Sequence, residues 1–325
     1  MHERKRGHTV QNVKKPPTIV YMGTPGFAVP ALRALHDSPF DLLRVITQPD
    51  RPKGRGRKLT PSPVKVAAIT HGYAVSQPEN VRNAAFIDEL GSISPDFLVV
   101  IAFGQILPAA LLQVPRHGTI NVHASLLPKY RGPAPIQWAI MRGETKTGVT
   151  TMLMDTGVDT GDILLSAETP IGPTDTAASL HDRLAEIGAR LLVETIEKFL
   201  AGALFPRSQN QNEATYAPML KKEAGRIQWA NSARAIDAQI RAMTPWPGAY
   251  CIHQNKPCKI HQARAIAQAH SAAPGTVVAG FPDELRIATG NGQLCILEIQ
   301  GASGKRMPIK QFLHGHPICP GELFE

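Results

Sequence analysis

The sequence predicts an α/β protein: a Rossmann-like, doubly wound sheet followed by a small C-terminal β-barrel of OB type. Three observations carry that expectation. TIVYM, residues 18–22, is a β-rich run that meets Gly23, Pro25 and Gly26 and then an apolar pattern through Phe27, Val29, Ala31, Leu32 and Leu35. Strand, glycine turn and helix open a doubly wound domain. FLVVIAF, residues 97–103, is apolar without alternation, the pattern of a central parallel strand covered on both faces. Beyond Phe205 the polar run PRSQNQNEATYAP gives way to short strand-like pieces punctuated by Pro274-Gly275 and Asn291-Gly292.

The 325 residues suffice for two domains, and 43% hydrophobic with 19% charged residues is the composition of a globular chain. No apolar run reaches the roughly 20 residues of a membrane span. The basic start MHERKRGHTVQNVKKPP has no apolar segment behind it, so a secretory signal is not expected and a cytoplasmic location is. Cys251, Cys258, Cys295 and Cys319 form no CxxC pair and are expected reduced. Cys251, His253, Cys258 and His261 have the ligand types for zinc, but alternating Cys and His in a strand-like stretch are ordinarily packed side chains.

In chain order, residues 42–48 read as the second strand, and its exit is QPDRPKGRGRKLTPSPVK, which Gly and Pro should keep irregular. Residues 64–71 read as helix, 73–76 as strand, 81–90 as helix, 97–103 as strand and 118–123 as strand. Residues 133–142 follow as helix, and 148–154 and 162–166 as a strand pair around the glycine-rich DTGVDTG. Leu180, Leu184, Ile187, Leu191, Ile196 and Leu200 mark one long helix. The domain expectation is a basic arm 1–17, a catalytic domain 18–204, a linker 205–222 and a barrel 223–325. Within the barrel, 233–243 reads as helix and 250–253, 259–261, 276–279, 285–289 and 294–299 as strands.

The net charge of +9 is unevenly placed. Residues 1–17 carry five basic groups against Glu3, giving +4, and residues 49–65 carry six against Asp50, giving +5. Residues 218–325 add 12 basic against 7 acidic, which the remaining segments offset. An arm, a loop and a barrel therefore offer cationic surface to a polyanion, with plain solvated charge as the alternative for the arm.

The chemistry is concentrated in INVHASLLPKYRG, residues 120–132, and MDTGVDTGD, residues 154–162. Asn121 and His123 are two apart, so on a strand both side chains leave one face. A His in a strand is more often structural, and spacing alone leaves that open. If Asp159 returns to the imidazole, amide, imidazole and carboxylate supply an oxyanion donor, a proton carrier and an acid that tunes it, the needs of acyl transfer to an amine.

These motifs, with GTPGFA at residues 23–28, the basic loop, ETKTGVT at 144–150 and TPWPG at 244–248, resemble the methionyl-tRNA formyltransferase family. The resemblance implies a formyltransferase fold and transfer of formyl from 10-formyltetrahydrofolate to methionine on initiator methionyl-tRNA, with no metal. It makes Asn121, His123 and Asp159 catalytic. Ser125, Leu126, Leu127 and Pro128 with Asp155, Thr156, Gly157 and Val158 would cradle the folate. Arg51, Lys53, Arg55, Arg57 and Lys58 would engage the tRNA, and the chain would act as a monomer away from membranes. NxH, SLLP and DTGD-type elements are common to folate-dependent formyltransferases; the basic loop picks out the tRNA enzyme. A formyltransferase with a nucleotide or nucleotide-sugar acceptor, a formylfolate hydrolase and a non-catalytic RNA-binding protein remain as alternatives.

Overall fold

The computed structural model describes residues 15–54, 56–278, 283–302 and 304–325. Of the basic arm, residues 1–14 lie outside them, as does Arg55. The chain divides into two compact units, one ending at Ile120 and the other beginning at Asn121.

The first unit contains β1 (Thr18–Gly23), α1 (Val29–His36), β2 (Asp41–Ile46), β3 (Arg51–Lys53), β4 (Lys58–Thr60), α2 (Pro63–Thr70), β5 (Val75–Ser76), α3 (Ala84–Ile93), β6 (Phe97–Ile101) and α4 (Ala109–Leu112). Four of its strands pair in parallel in the order β5-β2-β1-β6. Ile19, Val20, Tyr21 and Met22 of β1 are wholly buried, as central parallel strands must be. Caps set the helix starts. Ser62 accepts from the Lys65 N–H ahead of α2, and Asn83 accepts from the Ala85 N–H. The Asn83 cap moves α3 three residues past its expected start.

One expectation is overturned here. The basic loop is not irregular: β3 and β4 pair antiparallel, Arg51 with Thr60, Pro52 with Leu59 and Lys53 with Lys58. Pro52 favours an extended backbone, and the turn needs the left-handed conformations that Gly54 and Arg57 adopt. The ribbon is fastened at its base, where Lys65 Nζ donates to both Asp50 carboxylate oxygens (2.8 and 3.0 Å) and Gln77 Nε2 donates to Asp50 Oδ1 (2.8 Å). Hydrogen bonds from Lys65 and then Gln77 hold the Asp50 carboxyl below the usual carboxylate range, outweighing a smaller opposing effect of desolvation.

β7 (Thr119–His123) begins in the first unit and ends in the second. There follow α5 (Pro135–Met141), β8 (Lys146–Leu153), β9 (Ile163–Pro170) and α6 (Ala177–Leu200). β8 and β9 form an antiparallel pair with a bulge at Thr151/Met152. Thr176 and Ser179 make a reciprocal capping box for α6, whose Leu180, Leu184, Leu191 and Ile196 are buried as the stripe predicts, while Ile187 is half-buried and Leu200, at the helix end, is exposed. Parallel pairing in the first unit and this antiparallel pair make the class α/β with a Rossmann-like mixed sheet.

The remaining elements are α7 (Ala233–Ala242), β10 (Ala249–His253), β11 (Lys256–Ile266), β12 (Val277–Val278), β13 (Leu285–Ala288), β14 (Gln293–Gln300), β15 (Met307–Pro308) and α8 (Ile309–Gly315). The strands form an antiparallel half-barrel ordered β10-β11-β14-β13-β12, with β15 on β14. β11 is far longer than the three residues expected, and the 276–279 strand reduces to Val277–Val278, Ala279 lying outside the described residues. All four cysteines are free, and Cys251, Cys258 and Cys295 are buried. No group of three metal-ligating side chains is assembled among the described residues: His253 stacks on Phe324, and His261 faces Gln300. No helix among the described residues is long and apolar enough to cross a membrane.

The last residues bridge the two edges of the half-barrel. Ile252 and Glu325 exchange backbone hydrogen bonds (2.7 and 2.8 Å), Phe324 N–H donates to the Gly275 carbonyl (2.9 Å) and Val277 N–H to that of Glu322 (2.8 Å). Phe324, 1% exposed, fills the core beside Trp229. Phe324→Ala is expected to cost about 3–5 kcal/mol, read as an earlier denaturant midpoint for the C-terminal region. A shift below about 1 kcal/mol contradicts this packing role.

Candidate active site

β7 delivers Asn121 and His123 to one face, and both meet Asp159. Asn121 Nδ2 donates to Asp159 Oδ1 at 3.4 Å, and His123 Nδ1 lies 3.6 Å from Asp159 Oδ2. The other imidazole nitrogen is committed: Nε2 is 2.9 Å from the Tyr130 carbonyl, which can only accept, so Nε2 carries a hydrogen. Nδ1 is therefore the ring atom that faces the carboxylate. His123 and the Asp159 side chain are only 8% and 13% exposed, so water screens this contact weakly. The three side chains of the sequence motif are brought together.

Asp159 sits at φ 53°, a left-handed conformation that Asp tolerates better than most residues. Its carboxylate also accepts from the Gly132 N–H (Oδ2, 2.7 Å). Gly132 is required there, since a Cβ would stand 2.8 Å from the Ala217 carbonyl and its own φ is +114°. The motif's final glycine thus binds the carboxylate that its Asn and His address.

The residues assigned to the folate have varied surroundings. Ser125 is buried and donates to the Lys129 carbonyl (2.6 Å), so its hydroxyl closes the turn. Leu127 N–H donates to Thr150 Oγ1 (3.1 Å), and the Leu127-Pro128 peptide is cis. Leu126 and Pro128 are half-buried. Asp155, Thr156, Gly157 and Val158 are exposed. Their loop is shaped by Asp155 Oδ1, which accepts from the Gly157 N–H (3.0 Å) and Thr160 Oγ1 (2.6 Å).

In the first unit, Arg51, Lys53, Arg57 and Lys58 are exposed on the ribbon, and among the described residues none is paired with a carboxylate. Because Lys65 is spent on Asp50, these four and Arg55 account for the segment's whole +5.

Sequence reasoning missed a set of residues that support the trio. Arg131 is 1% exposed; its Nε and Nη2 donate to Gln209 Oε1 (3.0 and 2.6 Å) and its Nη1 to Gln211 Oε1 (2.8 Å). Gln209 Nε2 donates to the carbonyls of Asp159 (2.9 Å) and Gly161 (2.7 Å). Residues 205–222 contain no strand or α-helix, in keeping with an extended linker, but their amides are engaged by the site rather than by water alone. A glutamine in a polar run carries no mark of this in the sequence. Tyr130, likewise unassigned, donates its hydroxyl to Glu144 Oε1 (2.7 Å) and is buried.

An acyl-transfer site at the end of a Rossmann-like strand defines a class, and comparison with known proteins agrees. Residues 18–196 match the family described as formyl transferase, and residues 219–317 match the formyl transferase C-terminal domain. The chain belongs to the formyl transferase family. Its curated relatives include the methionyl-tRNA formyltransferase of Citrifermentans bemidjiense, 50% identical over 94% of this chain and 95% of that one. That of Caldanaerobacter subterraneus subsp. tengcongensis is 48% identical over 94% of this chain and 99% of that one. Among solved structures, the fold is shared with an N-formyltransferase from Helicobacter canadensis in complex with folinic acid and dTDP-3-aminofucose (TM-score 0.66, 19% identity, 90% of this chain and 100% of that one). It is shared too with HypX from Aquifex aeolicus in complex with tetrahydrofolic acid (TM-score 0.59, 19% identity), of which 91% of this chain spans 46%.

Proposed function

We propose that this protein transfers the formyl group of 10-formyltetrahydrofolate to the α-amine of methionine on initiator methionyl-tRNA. The convergence of Asn121 and His123 on Asp159 carries the chemistry, and identity near 50% along almost the whole chain to relatives of that name supports the acceptor. The tetrahydrofolic acid and folinic acid bound in the two solved structures that share this fold support the donor. The family matches also support the division into a catalytic domain 18–204, a connecting segment 205–222 and a tRNA-binding domain 223–325.

The neutral amine attacks the formyl carbon, an N–C bond forms, and negative charge gathers on the formyl oxygen as the centre becomes tetrahedral. Asn121 has two amide hydrogens; one faces Asp159 and the second is available to that oxygen. With Nε2 held by Tyr130, the proton leaving the amine has His123 Nδ1 and the Asp159 carboxylate as its route. The bond from carbon to N10 of the folate then breaks and that proton goes to N10. Atoms and charge balance without a covalent enzyme intermediate. Ser125, Leu126, Leu127 and Pro128, with the exposed loop from Asp155 to Val158, would seat the folate. Arg51, Lys53, Arg55, Arg57 and Lys58 would bind tRNA phosphates.

In an assay of formyl transfer to charged initiator tRNA, Asn121→Ala and His123→Ala are each expected to lower kcat about a hundred- to a thousandfold, with KM for the tRNA within about threefold. Near-normal turnover removes that residue from the reaction. Lys53→Ala and Arg57→Ala should instead weaken tRNA binding and each reduce the slope of log K against log salt by about 1. An unchanged slope argues against phosphate contacts on the ribbon.

A further inference from the structure

The buried arginine that ends the INVHASLLPKYRG motif is not used in the step above, yet its surroundings are built with unusual economy. Among the described residues no carboxylate pairs with Arg131; its donors are taken up by Gln209 and Gln211. Taking both Nε and Nη2 fixes which way the Gln209 amide points. Arginine has only donors, so Oε1 faces it, and Nε2 must face the two carbonyls on the other side. Those carbonyls belong to Asp159 and Gly161, one within the left-handed residue and the other two residues after it.

The same segment is stitched to the site along its backbone. Arg207 and Ile163 exchange N–H to carbonyl bonds (2.8 and 2.9 Å). Arg131 N–H donates to the Thr215 carbonyl (2.8 Å), and Ala217 N–H donates to the Arg131 carbonyl (2.7 Å). Tyr130 N–H donates to Thr215 Oγ1 (2.9 Å). Residues 207–217 therefore close over the turn bearing Tyr130 and Gly132 on one side and the loop bearing Asp159 on the other. A left-handed non-glycine residue persists only where its surroundings over-determine it. Here Gln209 holds the backbone of Asp159 while Gly132 holds its carboxylate.

Resting on the formyl-transfer reading, we infer that Gln209, anchored by Arg131, is a positioning residue for Asp159, and that the segment between the two matched family regions belongs to the catalytic apparatus. A catalytic half cut before residue 205 would carry all three reacting side chains and lack the part that aims one of them.

A double-mutant cycle on the full chain tests this, with kcat and both KM values measured for wild type, Gln209→Ala, Asp159→Asn and the pair. Gln209→Ala should lower kcat about 10- to 100-fold with either KM within about threefold, the scale of a misplacement near 1 Å. In the Asp159→Asn background the same change should cost less than about twofold, because the group it positions is already lost. An equal loss in both backgrounds, or a loss confined to KM, overturns the inference. Gln209→Glu separates aiming from charge balance: its carboxylate satisfies Arg131 but cannot donate to two carbonyls. It should be as slow as Gln209→Ala, and wild-type kcat in Gln209→Glu overturns the inference. Should Gln209→Ala fail to fold, Arg131→Met with Gln209→Leu makes the seat apolar, and the cycle is run on that pair with the same expectations. One readout does not need the reaction. Deuterium exchange at the Gly132 amide, which donates to the Asp159 carboxylate, should quicken in Gln209→Ala; unchanged protection overturns the positioning role. A wild type that transfers no formyl to the tRNA counts against the assigned reaction, and the Gly132 amide then still decides the positioning.

Discussion

Everything at the site depends on one carboxylate, carried on a left-handed residue and held from several sides. Asp159 accepts from Asn121 and Gly132 and faces His123, in a left-handed backbone conformation whose cost, on the order of 1 kcal/mol, these contacts offset. The brace comes from three places in the chain. β7 supplies Asn121 and His123, the turn after the cis peptide supplies Gly132, and the polar segment beyond α6 supplies Gln209. Each donor is buried or half-buried, where loss of one partner leaves another unsatisfied.

The residues proposed for the chemistry fall in the second unit, and the cationic charge of the ribbon falls in the first. Acyl transfer needs few groups with little freedom and weak screening, which buried strands and tight turns supply. Phosphate recognition needs reach and charge, which an exposed ribbon of Arg and Lys supplies. The Lys65–Asp50 pair at the ribbon's base separates the two uses of a lysine: one is structural, and the others remain available.

Much of this was legible in the sequence, for identifiable reasons. The period of a strand placed Asn121 and His123 on one face, the β-rich run at β1 announced a strand, and the unbroken apolar run at β6 announced one covered on both sides. The ribbon was hidden because Gly and Pro mark breaks without saying whether the flanks pair. The length of β11, and β15 and α8, were hidden among polar and short residues whose strand or helix is fixed by neighbours. Gln209 was illegible in a different way. Its value lies in an arginine 78 residues earlier and two backbone carbonyls, and neither leaves a local pattern. Polar composition that reads as a linker is here used for hydrogen bonding.

In the proposed reaction, turnover depends on the charge of Asp159, held in place. Single-turnover formyl transfer by Asp159→Asn, at saturating 10-formyltetrahydrofolate and methionyl-tRNA, tests it most directly, since asparagine keeps the side-chain shape and removes the charge. The expected result is a chemical step slowed by about a hundredfold or more, with both substrates bound within about threefold of wild type. A single-turnover rate close to wild type would contradict the account.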